Sequence, residues 1–509
     1  MGDAVAATAA LAMADPFYIT TAISYPNGPP HIGHAYEAIA ADVICRFHRA
    51  QGRDVRFQTG TDEHGLKMAQ AARAEGQEPR DYAHKMSSVF QQMCDTLNVK
   101  YDRFIRTSEP DHHRASQAIW TAMEERGDLY LGRYEGWYSV RDEAFYDESE
   151  LSEGEGGVKL SPQGSPVEWT AEESWFFRLS AYQQRLLDHY SANPQFIRPE
   201  SRRNEVLRFV EGGLSDLSIS RTSFDWGVPV PGSPGHVMYV WLDALTNYIT
   251  GLGYPDDTEL FQRYWPADVH LIGKDVVRFH AVYWPAFLMS ADIALPKMVY
   301  GHGFLLSSGE KMSKSVGNVV DPFALAERFG VDALRYFLLR EVPFGQDGSY
   351  SPEAIVNRVN AELANSFGNL AQRTLSMVFK NLEGAIPPAG KASEDALLLE
   401  LVRSVCERDV PAEFDRFAFA SGLEAWMGAV FACNAYVDAA APWALRKTDP
   451  ARMAEVLGTL VESILMLAEA VEPVIPDSAR RLIDFIRTDR PIGQPEPIFP
   501  RLELEEAAQ

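Results

Sequence analysis

The stretch "FYITTAISYPNGPPHIGHAYEAIAADVICRF", residues 17–47, decides the fold. Residues 17–23 are rich in β-branched and aromatic types and predict a strand that stops at the Asn-Gly-Pro-Pro turn. After the turn, Ile39, Val43, Ile44 and Phe47 recur at helical spacing and predict a helix over 35–50. The next segment, "DVRFQTGTDEHG", reads as a strand over 55–59 and then a loop. Strand, helix and strand with so compact a crossover form a βαβ unit, and hence a parallel sheet. Ligands of such sheets sit beyond the C-terminal strand ends. Both "PNGPPHIGH" and "TGTDEHG" lie there.

Outward from this unit the α/β pattern is interrupted over 131–225 by short aromatic segments and the loop "SEGEGGVKLSPQGSP". It reads as an insertion. The pattern returns with the strand and turn "DVHLIGKD", the helix "VVRFHAVYWPAFLMS" and the strand "KMVYGHGF". From Ser351 onward the chain reads as helical. Ser351 is the expected N-cap, with Pro352 and Glu353 in the first turn.

With 509 residues the chain has length for about three domains. No apolar run reaches the roughly 18 residues that would span a membrane. The alanine-rich start lacks a cationic region and makes a poor signal peptide. Cys45, Cys94, Cys406 and Cys433 are scattered, with no C-x-x-C pair, which fits a reducing cytoplasm and supports neither a disulfide framework nor a thiolate zinc site. The net charge of −24 excludes bulk attraction to nucleic acid, so a nucleic-acid partner would need local contacts.

Two motifs carry chemistry. His31 and His34 flank Gly33 where a strand-turn-helix passage presents backbone N–H groups of residues 32–35 to an anion. Imidazole donors would add to that cradle, and Gly33 would let a nucleotide approach the backbone. Read alone, the alternative is a pair of ordinary turn histidines, and the match is a moderate signal. The second motif, "SSGEKMSKSVGN" at 307–318, puts Lys311 and Lys314 in a Ser/Gly-rich loop suited to neutralising a leaving pyrophosphate.

Together these motifs resemble those of the class I aminoacyl-tRNA synthetases. Over nearly its whole length the chain is similar to the methionyl branch, through "TGTDEHG" (59–65), "YVWLDALTNY" (239–248), "HLIGKDVVRFHAVYWPA" (270–286), "NLAQR" (369–373) and "APW" (441–443). The resemblance implies an α/β fold: a Rossmann-type parallel-sheet catalytic domain with an inserted connective domain, and a C-terminal all-α anticodon-binding bundle. The expected boundaries are a tail over 1–15, catalytic halves over 16–130 and 226–295, the insertion over 131–225, a stem-contact segment with the lysine loop over 296–350 and the anticodon-binding domain over 351–509.

The implied activity is ATP-dependent formation of methionyl-adenylate, followed by transfer of methionine to the 3′ end of elongator and initiator tRNA(Met). The methionine site would comprise Ala22, Ile23, Tyr25, Asp62, Trp241, Ala244, Leu245, Tyr248, Val276 and His280. Asp62 would hold the ammonium, and the aromatic and aliphatic side chains a polarisable sulfur. ATP, with Mg2+, would be bound by His31, Gly33, His34, Glu37, Gly273, Lys274, Asp275 and Lys314. His31, His34, Lys311 and Lys314 would be catalytic, and Asn369, Arg373 and Trp443 would read the anticodon. Read from the residues alone, Trp241, Tyr248, Asn369 and Trp443 could be packing residues and Asp62 a loop cap.

Many relatives carry zinc-binding cysteine pairs in the insertion. Here "WYSVRDEAFY" and "KLSPQGSPVEW" contain none, and Ser139 and Asp142 stand where a pair would be. No zinc is expected, and packing of Tyr134, Trp137, Tyr138 and Phe145 is expected to hold the insertion. A leucine enzyme would need a longer editing insertion, and a cysteine enzyme thiolate metal ligands for its substrate. A non-catalytic tRNA-binding relative is disfavoured by the intact histidine and lysine motifs. The chain is expected to be a cytoplasmic monomer that makes no membrane contact.

Overall fold

A computed structural model describes residues 14–142, 144–307, 310–311 and 319–504. The chain forms two compact units. The first contains the described residues up to Pro30, then Gln51–Asp95 and Val99–His302; the second contains His31–Ala50, Thr96–Asn98 and the described residues from Gly303 onward.

In chain order, strand β1 (Pro16–Thr21) is followed by helix α1 (Ile32–Ala50), strands β2 (Asp54–Thr61) and β3 (Arg103–Arg106) and helix α2 (Pro110–Glu125). The inserted segment supplies β4 (Leu129–Ser139), β5 (Ala144–Tyr146), β6 (Glu168–Phe177), β7 (Ile197–Arg198) and β8 (Leu217–Ser218). Helix α3 (Val240–Thr250) and strands β9 (Val269–Gly273) and β10 (Val299–His302) complete the first unit's main elements.

The principal sheet has six strands in the order β3-β2-β1-β9-β10-β7, all parallel. Ile19 of β1 pairs with Phe57 on one side and Val269 on the other. Strand β1 is buried over residues 17–21, as expected for a parallel strand covered on both faces. Its polar groups are accordingly paired: Thr21 Oγ1 donates to Thr59 Oγ1 (2.7 Å), and the Tyr18 hydroxyl lies within hydrogen-bond distance of Gln58 Oε1 (3.1 Å) and the Tyr248 carbonyl (2.9 Å).

Strand β1 ends at Thr21, two residues before the expected limit; beyond it Ser24 makes an isolated parallel bridge to Thr61, still on the β2 side. Strand β2 runs on to Thr61, beyond the expected 59, where Gly60 and Thr61 pair with Ile105 and Arg106 of β3. Helix α1 starts at Ile32 rather than 35, since the His31 carbonyl already accepts the His34 and Ala35 N–H groups. The expected helix after β9 is broken into a π-turn, Phe279–Tyr283, and a helix, Trp284–Ser290. Pro285 has no N–H for the Ala281 carbonyl, which accepts the Tyr190 hydroxyl instead (2.6 Å).

In the inserted segment, β8-β6-β4-β5 form a separate antiparallel sheet. Where the family resemblance would place a cysteine pair, Asp142 is a polar hub. It accepts hydroxyls from Ser161 (2.5 Å), Ser165 (2.8 Å) and Tyr146 (3.2 Å), while its N–H donates to Ser139 Oγ (3.1 Å). Aromatic packing contributes as well: Trp137 meets Trp169 edge-on at 5.4 Å and lies under Lys159, and Tyr138 is buried. The side chains of Tyr134 and Phe145 lie outside the described residues. Among the described residues no His, Cys, Asp and Glu side chains cluster as a metal site, and no helix is long and apolar enough to cross a membrane.

Beyond the small sheet of Leu305–Ser307, Glu310–Lys311 and Gly348–Tyr350, the second unit is helical. Its main helices include α4 (Val331–Glu341), α5 (Asn369–Asn381), α6 (Phe419–Ala440), α7 (Pro442–Thr448), α8 (Pro450–Val471) and α9 (Pro476–Ile486). Ser351 caps its helix as expected, accepting from the Ala354 N–H (3.1 Å). Helix α1 is tied into this unit by Arg335, which is fully buried on α4. Its guanidinium donates to Asp42 Oδ2 (2.6 Å) and to the carbonyls of Leu97 (3.1 Å), Pro473 (2.9 Å) and Val474 (2.9 Å). Such a hub is tolerable in a core because nearly every donor has an acceptor.

Candidate functional site

In the second unit, the histidine motif folds onto itself. The His31 N–H donates to His34 Nδ1 (3.0 Å) and the Gly33 N–H to His31 Nδ1 (3.1 Å), with the rings 3.8 Å apart. Both Nδ1 atoms therefore accept, so each neutral ring carries its proton on Nε2. A Cβ at Gly33 would stand 2.8 Å from His31 Cε1, which excludes any larger residue there without moving the ring.

This corrects the expected backbone cradle. The Ile32 N–H donates to the Val320 carbonyl, the Gly33 N–H to His31 Nδ1, and the His34 and Ala35 N–H groups to the His31 carbonyl. Those four amides are already engaged within the protein. Gly33 makes room for the His31 ring. Glu37 lies one turn further along α1 and is partly exposed. Lys311 pairs through its backbone with Leu306, whereas Lys314 lies outside the described residues.

The first unit holds the other candidates. Gly273 ends β9, with Lys274 and Asp275 in the short turn that follows. The expected methionine-site residues gather around α3 and the π-turn. Trp241 stacks on Phe279 at 3.8 Å, with the rings 6° from parallel, and meets His280 edge-on at 6.4 Å. Leu245 and Tyr248 belong to the buried core against which Ala22, Tyr25, Trp241 and Val276 pack. Ala244 is buried on α3, and Ile23 is half-buried beyond the end of β1.

His280 is the electronic centre of this slot. Its Nδ1–H donates to the Val276 carbonyl (2.9 Å), and its Nε2 accepts the Tyr248 hydroxyl (2.6 Å). Burial pushes the imidazole pKa down to about 4, against the Val276 carbonyl, which favours the proton. At neutral pH the slot therefore presents an uncharged ring. Beneath it His270, stacked 4.1 Å from Tyr248, is also held neutral by burial; it accepts from the Trp284 indole and bonds Thr20 Oγ1 (2.7 Å). A neutral, aromatic, polarisable slot suits a thioether.

Asp62 is buried at the end of β2, its N–H donating to the Ser24 carbonyl (2.9 Å). The residues after it escaped the reading of the sequence. Glu63 accepts from Arg106 Nε (2.7 Å) and Nη2 (3.1 Å) and from the Ser87 and Ser108 hydroxyls. Burial would raise its pKa, but Arg106 and the two serines outweigh it and hold the carboxyl below its usual range. His64 Nδ1 lies 2.6 Å from Asp243 Oδ2. The one signal for these contacts was two acids and a histidine packed into five residues of a strand-end loop.

The anticodon candidates come together on the second unit's surface. Asn369 and Arg373 are one turn apart on α5, and the Arg373 guanidinium lies 5.7 Å over the Trp443 ring. Trp443 is 48% exposed despite following Pro442 at the start of α7, so it is not a core residue. Asn369 Nδ2 donates to the Asn365 carbonyl (3.1 Å), and Arg373 faces Asp438 at 3.8 Å.

Comparison with known proteins gives concordant results. A family model described as tRNA synthetases class I (M) matches residues 17–375, and one described as the anticodon binding domain of methionyl tRNA ligase matches 386–498. The methionine–tRNA ligase of Brucella suis biovar 1 is 57% identical, over 95% of this chain and 98% of that protein. That of Mycobacterium bovis is 59% identical, over 92% of both chains. The structure of Mycobacterium tuberculosis methionyl-tRNA synthetase in complex with methionyl-adenylate superposes with a TM-score of 0.93 at 56% identity, covering 96% of this chain and all of that one.

Proposed function

We propose the following mechanism for a chain that belongs to the class I methionyl-tRNA synthetases: it activates L-methionine with ATP and transfers it to tRNA(Met). The methionine carboxylate attacks the α-phosphorus of ATP in line, releasing pyrophosphate and leaving methionyl-adenylate. A hydroxyl of the tRNA 3′-terminal ribose then attacks the activated carbonyl and AMP leaves. No protein nucleophile is required; positioning and charge stabilisation supply the catalysis.

The observation that carries the amino-acid assignment is the neutral His280, fixed between Tyr248 and the Val276 carbonyl beside the Trp241–Phe279 stack. The thioether lies against Trp241, Ala244, Leu245, Tyr248, Val276 and His280. Asp62 takes the ammonium, and Ala22, Ile23 and Tyr25 bound the slot at the strand end. On the nucleotide side, His31 and His34 donate through Nε2 to phosphate oxygens. Glu37, Gly273, Lys274 and Asp275 are assigned to the rest of the nucleotide, and Lys311 and Lys314 to the departing pyrophosphate. Mg2+ arrives with ATP as part of the substrate, bound chiefly by phosphate oxygens.

Asn369, Arg373 and Trp443 read the CAU anticodon: an indole with a guanidinium above it stacks an unpaired base, and the amide meets a base edge. On this reading residues 16–130 and 226–295 are the catalytic domain, 131–225 the connective insertion, 296–350 the stem-contact segment and 351–509 the anticodon-binding domain. The enzyme works as a monomer in the cytoplasm, on both initiator and elongator tRNA. Charging assays with both tRNA(Met) species and with a CAU-to-other anticodon variant test this. Methionylation of both species and its loss with the variant are expected; equal charging of the variant would overturn the anticodon assignment.

A further inference from the structure

A carboxylate on an apolar helix needs a reason. Asp243 lies on α3 between Trp241 and Ala244, and it is fully buried, as is His112, with His64 only 2% exposed. Burying an ionised carboxylate is costly unless both oxygens are bonded. Here they are: Oδ1 lies 2.7 Å from His112 Nε2 and Oδ2 lies 2.6 Å from His64 Nδ1. Burial alone would raise the Asp243 pKa; His64 and His112 more than offset that and hold it low, so the carboxylate is the ionised acceptor.

The two histidines do different jobs. His112, on α2, also bonds Thr250 Oγ1 (3.1 Å) and Ser116 Oγ (3.2 Å), so it fixes the carboxylate against its own helix. His64 belongs to the loop, two residues after Asp62. Its carbonyl accepts the Tyr25 hydroxyl (2.7 Å), and that oxygen in turn accepts the Met68 N–H (3.1 Å). The other groups facing the His64 ring are Trp226 and His113, each edge-on at 5.2 Å. Burial lowers the His113 pKa to about 4, with His64 adding to the effect, so His113 is neutral and brings no rival cation to Asp243. Glu63, between Asp62 and His64, is locked to Arg106, and its carbonyl accepts the Trp226 indole (2.6 Å).

We propose that Asp243 and His64 form a positioning pair that clamps the 61–65 loop to α3 and thereby sets the Asp62 carboxylate at the right distance from the thioether slot on the same helix. Neither residue touches substrate. The ammonium and the sulfur of methionine are a fixed distance apart, so a pocket that reads both must hold its anion and its slot in one rigid frame. The His64–Asp243 contact is a buried side-chain link between the loop carrying Asp62 and the helix carrying Trp241, Ala244, Leu245 and Tyr248. This inference rests on the assignment of Asp62 and the slot to methionine.

The test is ATP–pyrophosphate exchange with the full chain, titrating methionine and ATP separately. His64→Ala should raise the methionine KM about tenfold or more while the ATP KM stays within about twofold, since only one substrate's anchor is loosened. His64→Asn, whose amide nitrogen can replace Nδ1 as donor, should restore the methionine KM to within about threefold of wild type. In an Asp62→Ala background, His64→Ala should add less than about threefold, because its effect passes through Asp62. Should His64→Ala fail to fold, Asp243→Asn is read in the same assays with the same expectation. If the wild-type chain shows no methionine-dependent exchange, the pocket assignment fails and this proposal with it. If the wild type exchanges but His64→Ala leaves the methionine KM unchanged, raises both KM values alike, or adds fully to Asp62→Ala, the assignment stands and the positioning role is wrong.

Discussion

Trp443→Ala separates recognition of tRNA from chemistry on methionine. The indole is 48% exposed, and the Arg373 guanidinium sits 5.7 Å from its ring centroid. The side chain is thus accessible to a stacking base. Base–aromatic stacking is worth about 1–3 kcal/mol, which corresponds to roughly 5- to 150-fold in kcat/KM for tRNA charging. The half-exposed ring contributes little to the core, so the melting temperature should fall by less than about 3 °C. Trp443→Phe keeps a stacking face and should retain most of the charging rate, whereas Arg373→Ala removes the cation above the ring and should cost about 1 kcal/mol. Charging of tRNA(Met) and methionine-dependent pyrophosphate exchange are measured on the same preparations. The reasoning is refuted if Trp443→Ala lowers both activities together or leaves charging untouched.

Three further outcomes follow from hydrogen-bonded polar groups. Arg335→Met removes the buried ion pair with Asp42 while the Arg46 contact (2.7 Å) stays, and breaking a buried pair of this kind should cost about 3 kcal/mol; a loss under about 1 kcal/mol in urea unfolding would contradict the hub. His280 has a folded pKa of about 4, below its unfolded value, so the stability from keeping it neutral is full above about pH 6.5 and drains away as pH falls toward 4. The total is a few kcal/mol, and His280→Gln should flatten the stability profile across that window; an unaltered slope would show that other groups control it. Asp142→Ala strips the acceptor from three hydroxyls and should cost roughly 2–3 kcal/mol locally, read as faster amide exchange in 137–146 and 159–168; unchanged protection there would show that aromatic packing alone holds the insertion.

The βαβ start was legible because periodicity and turn residues are local properties, and the Rossmann-type sheet and helical C-terminal half follow the same logic. The π-turn at Phe279–Tyr283 was not, since it depends on Tyr190 taking the carbonyl that Pro285 leaves. Grouping of α1 with the helical unit was hidden for the same reason: it follows from Asp42 meeting Arg335, far along the chain. In the site, the residue types suited to methionine could be named in advance. The tautomer of His280 and the engagement of the amides in the histidine motif could not, because each is set by hydrogen-bond partners that only the folded chain supplies. His64 and Asp243 lie in segments that carried the resemblance, yet a pair 179 residues apart leaves no periodic trace. Trp443 follows a helix start in which Ala441 adopts a left-handed conformation, φ 43°, ahead of Pro442, a turn that the sequence pattern did not reveal.

The most direct test of the account is ATP–pyrophosphate exchange by the purified chain with methionine, leucine and cysteine supplied in turn. A neutral aromatic slot beside a buried carboxylate should support exchange with methionine at least about 100-fold more efficiently than with either of the others. No exchange with methionine, or comparable exchange with leucine, would contradict it.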